Sequence, residues 1–221
     1  MEYLTQPLIN KSEALKIVEK LKAETSNWQD GKKTAGSHAA KIKKNFQLDK
    51  NSITSIELKE KITNKIISNP LLKSFTLPSL IHGLMFSKSL TGNGYGLHID
   101  NPYMPTGRSD LSFTLFLSEP EDYKGGNLRI QTLNRTETIK LSAGEIIIYP
   151  STQLHSVSQV EEGVRYACVG WIQSYVKSNE ERNYLLGLDA GAKGLLAKHG
   201  RSDELDLVFQ AYSNLLRRLG E

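Results

Sequence analysis

The sequence predicts a mainly β fold with flanking helices, and three observations carry that reading. Between residues 78 and 174 the chain breaks into short runs rich in β-branched and aromatic residues, separated by Gly, Pro, Asn and Asp. Seven or eight such runs at this spacing predict a sandwich or jelly roll. On either side the apolar period lengthens to three and four residues, the mark of amphipathic helices.

The elements follow in order. Residues 11–25 place Ala14, Ile17, Val18 and Leu21 on one helical stripe, with Asn10 or Ser12 as its cap. "SNWQDGKKTAGSHAA" reads as a glycine-bearing loop that includes Trp28, with Gly31 and Gly36 as hinges of a segment able to close over a ligand. The lysines of "KIKKNFQLDK" (41–50) read as a solvated basic face. A second helix is expected over 55–68, ending before Asn69-Pro70. The strands come next: "LIHGLMFSKS", "DLSFTLFLS", "GGNLRIQT", "TETIKLS", "GEIIIYP", "HSVSQV" and "VRYACVGWIQS". After Ser174 the chain turns helical again, and Leu205, Val208, Phe209, Tyr212, Leu215 and Leu216 form one stripe expected to pack on the roll. This divides the chain into residues 1–175, roll plus N-terminal helices, and a C-terminal helical extension, 176–221.

Composition narrows the function. The chain has 221 residues, 38% hydrophobic and 24% charged, with a net charge of +4. Such a small basic excess is no nucleic-acid signature. Cys168 is the single cysteine, so an intrachain disulfide and a cysteine zinc site are excluded. It lies in the apolar run "YACVGWI" and reads as a buried structural thiol. Neither a signal peptide nor a membrane span is expected, and the cytoplasm is the default location.

The chemistry gathers around "GLHIDNP". In a strand, side chains at i and i+2 point the same way, so His98 and Asp100 can converge on one ion. Two imidazoles and one carboxylate on one face, with positions left open, suit a non-haem Fe(II) oxygenase. The second imidazole is expected from His155, which follows the buried strand "GEIIIYPSTQL". His38 and His199 read as solvated, and His82 as a hydrogen-bonded histidine of its strand. Arg165 stands ten residues after His155 across "EEG". If that is a three-residue hairpin loop, both residues share a face of adjacent antiparallel strands. A guanidinium there would hold the far carboxylate of a dicarboxylate whose 2-oxo acid end chelates iron. Thr114 is the expected hydroxyl beside that carboxylate.

Five stretches resemble the Fe(II)- and 2-oxoglutarate-dependent prolyl hydroxylase superfamily, most closely its bacterial PKHD-type hydroxylases. They are "WQDGKKTAGSHAAKIKKNFQL" (28–48), "YGLHIDNP" (95–102), "DLSFTLFLSEPEDYKGGNLRI" (110–130), "GEIIIYPSTQLHSV" (144–157) and "GVRYACVGWIQS" (163–174). The resemblance implies a double-stranded β-helix of the jelly-roll, cupin-like kind. It implies iron on His98, Asp100 and His155 and 2-oxoglutarate on Arg165, with O2 as cosubstrate and ascorbate as a further cofactor. Tyr95 resembles a pocket tyrosine, Trp171 the tryptophan on which a target proline ring rests, and Arg108 a contact to the substrate backbone. The chain departs from the family in three places: Lys88-Ser89 stands where many relatives have a tyrosine, Phe116 where some prolyl hydroxylases use a cosubstrate-binding tyrosine, and the C-terminal "GLDAGAKGLLAKHGRSDELDL" matches only loosely.

The implied activity is hydroxylation of a prolyl residue in a protein or peptide, with 2-oxoglutarate decarboxylated to succinate and CO2. The alternatives are the same chemistry on a lysyl residue or a free small molecule, or a non-catalytic β-roll binding module. No nucleic-acid or membrane partner is expected.

Overall fold

The computed structural model describes residues 3–34, 40–132 and 134–220. After β1 (Leu4–Pro7), helix α1 (Lys11–Ala23) starts at Asn10. Asn10 accepts from the Glu13 backbone N–H at 2.9 Å, and the Glu13 carboxylate accepts from the Asn10 N–H. Two otherwise unsatisfied donors are thus covered. Strands β2 (Trp28–Asp30), β3 (Lys43–Lys44) and β4 (Phe46–Leu48) precede α2 (Ile53–Ser68) and α3 (Pro70–Thr76). Asn69 ends α2 and caps α3, and Pro70 takes the first turn, where its missing N–H costs nothing.

The roll follows: β5 (Pro78–Ser89), β6 (Gly94–His98), β7 (Tyr103–Met104), β8 (Gly107–Arg108) and β9 (Leu111–Phe116). Then come β10 (Tyr123–Gly125), β11 (Leu128–Gln131), β12 (Thr136–Ile139), β13 (Glu145–Pro150), β14 (His155–Val157), β15 (Val160–Gly163) and β16 (Arg165–Ser174). Helices α4 (Asn179–His199) and α5 (Asp203–Leu219) close the chain. The larger sheet has the order β1-β13-β9-β16-β5-β4-β2, and the smaller β12-β11-β14-β6-β3. Consecutive strands cross between the two sheets, as a double-stranded β-helix requires.

Period-two alternation sorts the side chains of the larger sheet. Leu111, Phe113 and Leu115 of β9, Ile146 and Ile148 of β13, and Tyr166, Cys168 and Ile172 of β16 point outward. They pack under α1, α2 and α3 with Ile17, Leu21, Leu58, Ile62 and Phe75. The inward face carries a smaller apolar cluster, Phe116, Leu128, Ile130, Ile139, Ile147 and Tyr149. Beyond that cluster the interior is polar.

Several expectations are corrected. Trp28 is not in a loop: it lies in β2, pairs with Leu48 and tilts against Tyr166 at 6.2 Å. The apolar ring is worth more there than exposed to water. Gly31 opens a 3₁₀ turn, whereas Gly36 and His38 lie outside the described residues. Lys41, Lys44 and Lys50 are exposed as expected, but Lys43 is buried, because its strand lies against Tyr95 of β6. The segment 160–163 is no hairpin loop. It is β15, paired with β10, so His155 and Arg165 lie in different sheets and line the same cavity.

Ile148 is fully buried at the centre of the outward face. Ile148→Ala is expected to cost about 3 kcal/mol from lost burial plus the residual cavity. Urea unfolding checks this, with a lowered midpoint at an unchanged slope.

Candidate metal centre

Strand β6 delivers His98 at its last position, and β14 sets His155 directly opposite it. A bulge follows, and Val157 pairs with Tyr95. Asp100 stands just beyond the strand end. One ligand atom from each of His98, Asp100 and His155 lies within 4.8 Å of the others. His155 Nε2 is 3.8 Å from Asp100 Oδ2, and the two imidazole centroids are 4.3 Å apart.

Hydrogen bonds prepare all three as ligands. His98 Nδ1 donates to the Gly96 carbonyl at 2.8 Å, and His155 Nδ1 donates to the Gln153 carbonyl at 3.0 Å. A carbonyl only accepts, so the proton belongs on Nδ1 and each Nε2 turns a bare lone pair to the site. Burial, reinforced by His155, pushes the His98 pKa down to about 4, so the ring is neutral at pH 7. The Ser112 hydroxyl donates to Asp100 Oδ2 at 2.6 Å and meets the Ser151 hydroxyl at 2.7 Å. Tyr95 stacks on His98 with centroids 3.6 Å apart, and burial raises its phenol to about 12. Two imidazoles whose Nε2 atoms face the site and one oriented carboxylate fit a divalent iron and leave further positions open.

The inner face of β9 leads away from the metal. Ser112 touches Asp100, Thr114 comes next, and the Phe116 ring lies 5.3 Å from the Arg165 guanidinium. Arg165 is 3% exposed, and its Nε and Nη2 are buried with no hydrogen-bond acceptor among the described residues. Burial lowers its pKa, opposed by the neighbouring Tyr123 and Tyr149 phenols. Orphaned buried guanidinium donors are costly unless a ligand carboxylate completes them. The donors therefore fit a dicarboxylate that reaches from the metal to Arg165.

His98, Asp100, His155, Ser112, Thr114 and Arg165 line one cavity of about 1560 Å³ that opens at the molecular surface. Trp171, half-buried, lines it from β16. The ring packs so closely over Gly83, whose φ is +64°, that a Cβ there would lie 2.6 Å from it. His82 contacts Thr106 Oγ1 through Nδ1 at 2.8 Å and donates through Nε2 to the Arg108 carbonyl at 3.0 Å. It thereby ties the β7–β8 hairpin to β5.

Arg108, expected as a substrate contact, has partners within the chain. Its guanidinium binds Asp110 in a two-pronged pair at 2.8 and 2.9 Å and donates to the Ser174 carbonyl, and it does not line the cavity. A buried Asp110 carboxylate needs that counter-charge. Sequence reasoning missed Ser112, Tyr149 and Lys43. Tyr149 packs edge-on against His155 at 5.2 Å. Lys43 lies over the Tyr95 ring at 5.1 Å, its pKa lowered to about 8 by burial against the pull of Asp100 and Asp30. Two hydroxyl residues at i and i+2 in the apolar run "LSFTLF" were the available signal for Ser112.

Ser112→Ala is expected to weaken Fe(II) or Mn(II) binding by about 10- to 100-fold, read by calorimetry, by releasing Asp100. The depressed His98 pKa carries a pH dependence. Unfolded histidine titrates near ~6.5, so the metal-free protein keeps this contribution above that pH and loses it as pH falls toward 4. Denaturation of the metal-free protein across that window is expected to show a loss of about 2–3 kcal/mol, reduced in His98→Gln.

A family model described as the 2OG-Fe(II) oxygenase superfamily matches residues 84–173. The chain is 78% identical over 221 residues to a PKHD-type hydroxylase of Prochlorococcus marinus (strain NATL1A), with all of both chains covered. Among solved structures it is similar to a Pseudomonas putida prolyl-4-hydroxylase, with a TM-score of 0.57, 15% identity, and 78% of this chain and 92% of that chain covered. It is also similar to a Trichoplax adhaerens prolyl hydroxylase in complex with a hypoxia inducible factor peptide fragment. There the TM-score is 0.57, the identity 17%, and the coverage 83% and 86%. At these identities the structural likeness is one of fold.

Proposed function

The chain belongs to the PKHD-type hydroxylases of the 2OG-Fe(II) oxygenase superfamily, and from that premise we propose that it hydroxylates a prolyl residue within a protein or peptide. The cofactor is Fe(II), and 2-oxoglutarate and O2 are cosubstrates. The proposed reaction takes a prolyl C–H, O2 and 2-oxoglutarate to hydroxyprolyl, succinate and CO2.

In this reading His98, Asp100 and His155 hold the iron, Arg165 takes the far carboxylate of 2-oxoglutarate, and Thr114 stands beside it. The bound iron supplies the oxidising chemistry that couples decarboxylation to C–H hydroxylation. The protein does the rest. The Gly96 and Gln153 carbonyls keep both imidazoles in the ligating tautomer, and Ser112 aims the carboxylate. The apolar cluster of Phe116, Ile147 and Tyr149 excludes water behind the cosubstrate. Tyr95 and Trp171 would flank the substrate ring.

The rim carries the choice of a polypeptide substrate. Leu97 and Ile99 flank the first ligand, Leu154 precedes the second histidine, and Tyr103 tops the hairpin; all four are exposed and line the cavity mouth. An apolar collar around a charged centre favours a covering macromolecule. The cavity volume also exceeds the roughly 300–1,000 Å³ of a small-molecule site. The peptide held by the Trichoplax protein supports the same reading.

The test loads the protein anaerobically with Fe(II) and 2-oxoglutarate, admits air, and follows both succinate and the mass of proline-containing peptides. A gain of one oxygen on proline, absent in His155→Ala, is the expected result. Succinate without peptide modification would redirect the assignment to lysyl residues or small molecules. With a modified peptide in hand, Trp171→Ala is expected to cut peptide hydroxylation at least about tenfold while succinate release without peptide persists.

A further inference from the structure

Helix α5 has two apolar faces, and only one of them is covered by the described residues of the chain. On the inner face Leu205 is buried, and Tyr212, Leu216 and Leu219 pack against Leu77, Val176 and Leu185. Leu215, expected on that inner stripe, is instead 37% exposed, and Leu207 is 65% exposed. The helical period explains this. Glu204, Leu207, Ala211, Leu215 and Arg218 follow one another at intervals of three, four, four and three, a single outward face on which every residue is exposed.

That face is symmetric about Ala211. Leu207 and Leu215 stand equally far on either side of it, and so do Glu204 and Arg218. We propose that this face is a self-association surface whose occupant is the same helix of a second copy, antiparallel, with the two-fold axis at Ala211.

In that arrangement Leu207 packs on the partner's Leu215, Ala211 meets the partner's Ala211, and Glu204 pairs with the partner's Arg218. The Leu207–Leu215 and Glu204–Arg218 contacts each occur twice and the Ala211 contact once, on the axis, as an isologous interface requires. The small side chain at the axis allows close approach of the helices. Charge selects the direction. Asp203, Glu204 and Asp206 occupy the first turn, and Arg217 and Arg218 the last. Antiparallel pairing sets acid against base and opposes the two macrodipoles, whereas parallel pairing would set Glu204 on Glu204 and Arg218 on Arg218. The face runs from 204 to 218, about 21 Å of helix, which is less than a standard permanent interface offers. The dimer is therefore reversible and dependent on concentration.

Sedimentation equilibrium on the full chain over a concentration series tests this. The mass is expected to rise from one chain to two. Glu204→Arg and Arg218→Glu should each weaken the dimer by about tenfold or more, because attractive pairs become repulsive. An equimolar mixture of the two variants should recover it, since each then supplies the charge the other needs. Damage to folding would not be reversed by mixing. As a second readout, Ala211→Cys should form a disulfide-linked dimer under mild oxidation, the native Cys168 being buried. A chain that stays monomeric at millimolar concentration would overturn the proposal. So would a dimer indifferent to both charge changes, or variants whose mixture does not recover.

Discussion

The two-residue period of the larger sheet is the constraint from which the rest follows. Each of its central strands must serve a dry outer face and a working inner face at once. In β9 this is literal: Leu111, Phe113 and Leu115 go under the helices, while Ser112, Thr114 and Phe116 lead from the carboxylate ligand to the guanidinium. A one-residue slip would bury the hydroxyls under α2 and turn phenylalanine toward the metal. The helices hold the sheet in the register that makes the site possible.

Within that frame the site is built from groups that are expensive to bury and incomplete by themselves. Two imidazoles keep their lone pairs because backbone carbonyls take the opposite protons. Arg165 keeps buried donors that no acceptor among the described residues satisfies. An apolar isostere would stabilise the empty fold, so these groups make sense only with ligands present. Arg108 and Asp110 show the contrast, since their charges are spent on each other and on the Ser174 carbonyl to fasten the strand ends.

The C-terminal helices answer to different forces. No helix among the described residues is long and apolar enough to cross a membrane. Ser178 and Ser202 cap α4 and α5, and acidic first turns with basic last turns match the helix dipoles. The same charges that stabilise α5 alone also make its outer face complementary to itself in reverse. One sequence pattern thus serves the helix and its self-pairing.

Alternation, caps and turn residues determined by themselves the helix–roll–helix order and the start of α1, because these depend on neighbours a few positions apart. The "HID" triplet and the strand before His155 likewise pointed to His98, Asp100 and His155 as a candidate ligand set, since side chains two apart on a strand share a face. Other features only the tertiary structure decided. His155 and Arg165 stand in different sheets, with β15 between them paired to β10, a long-range pairing with no local signature. Lys43 is buried although its neighbours in a basic run are exposed, and Arg108 is paired with Asp110. Which charges meet depends on how the sheets close over one another, and that closure is set by packing across the whole roll rather than by any stretch of its sequence.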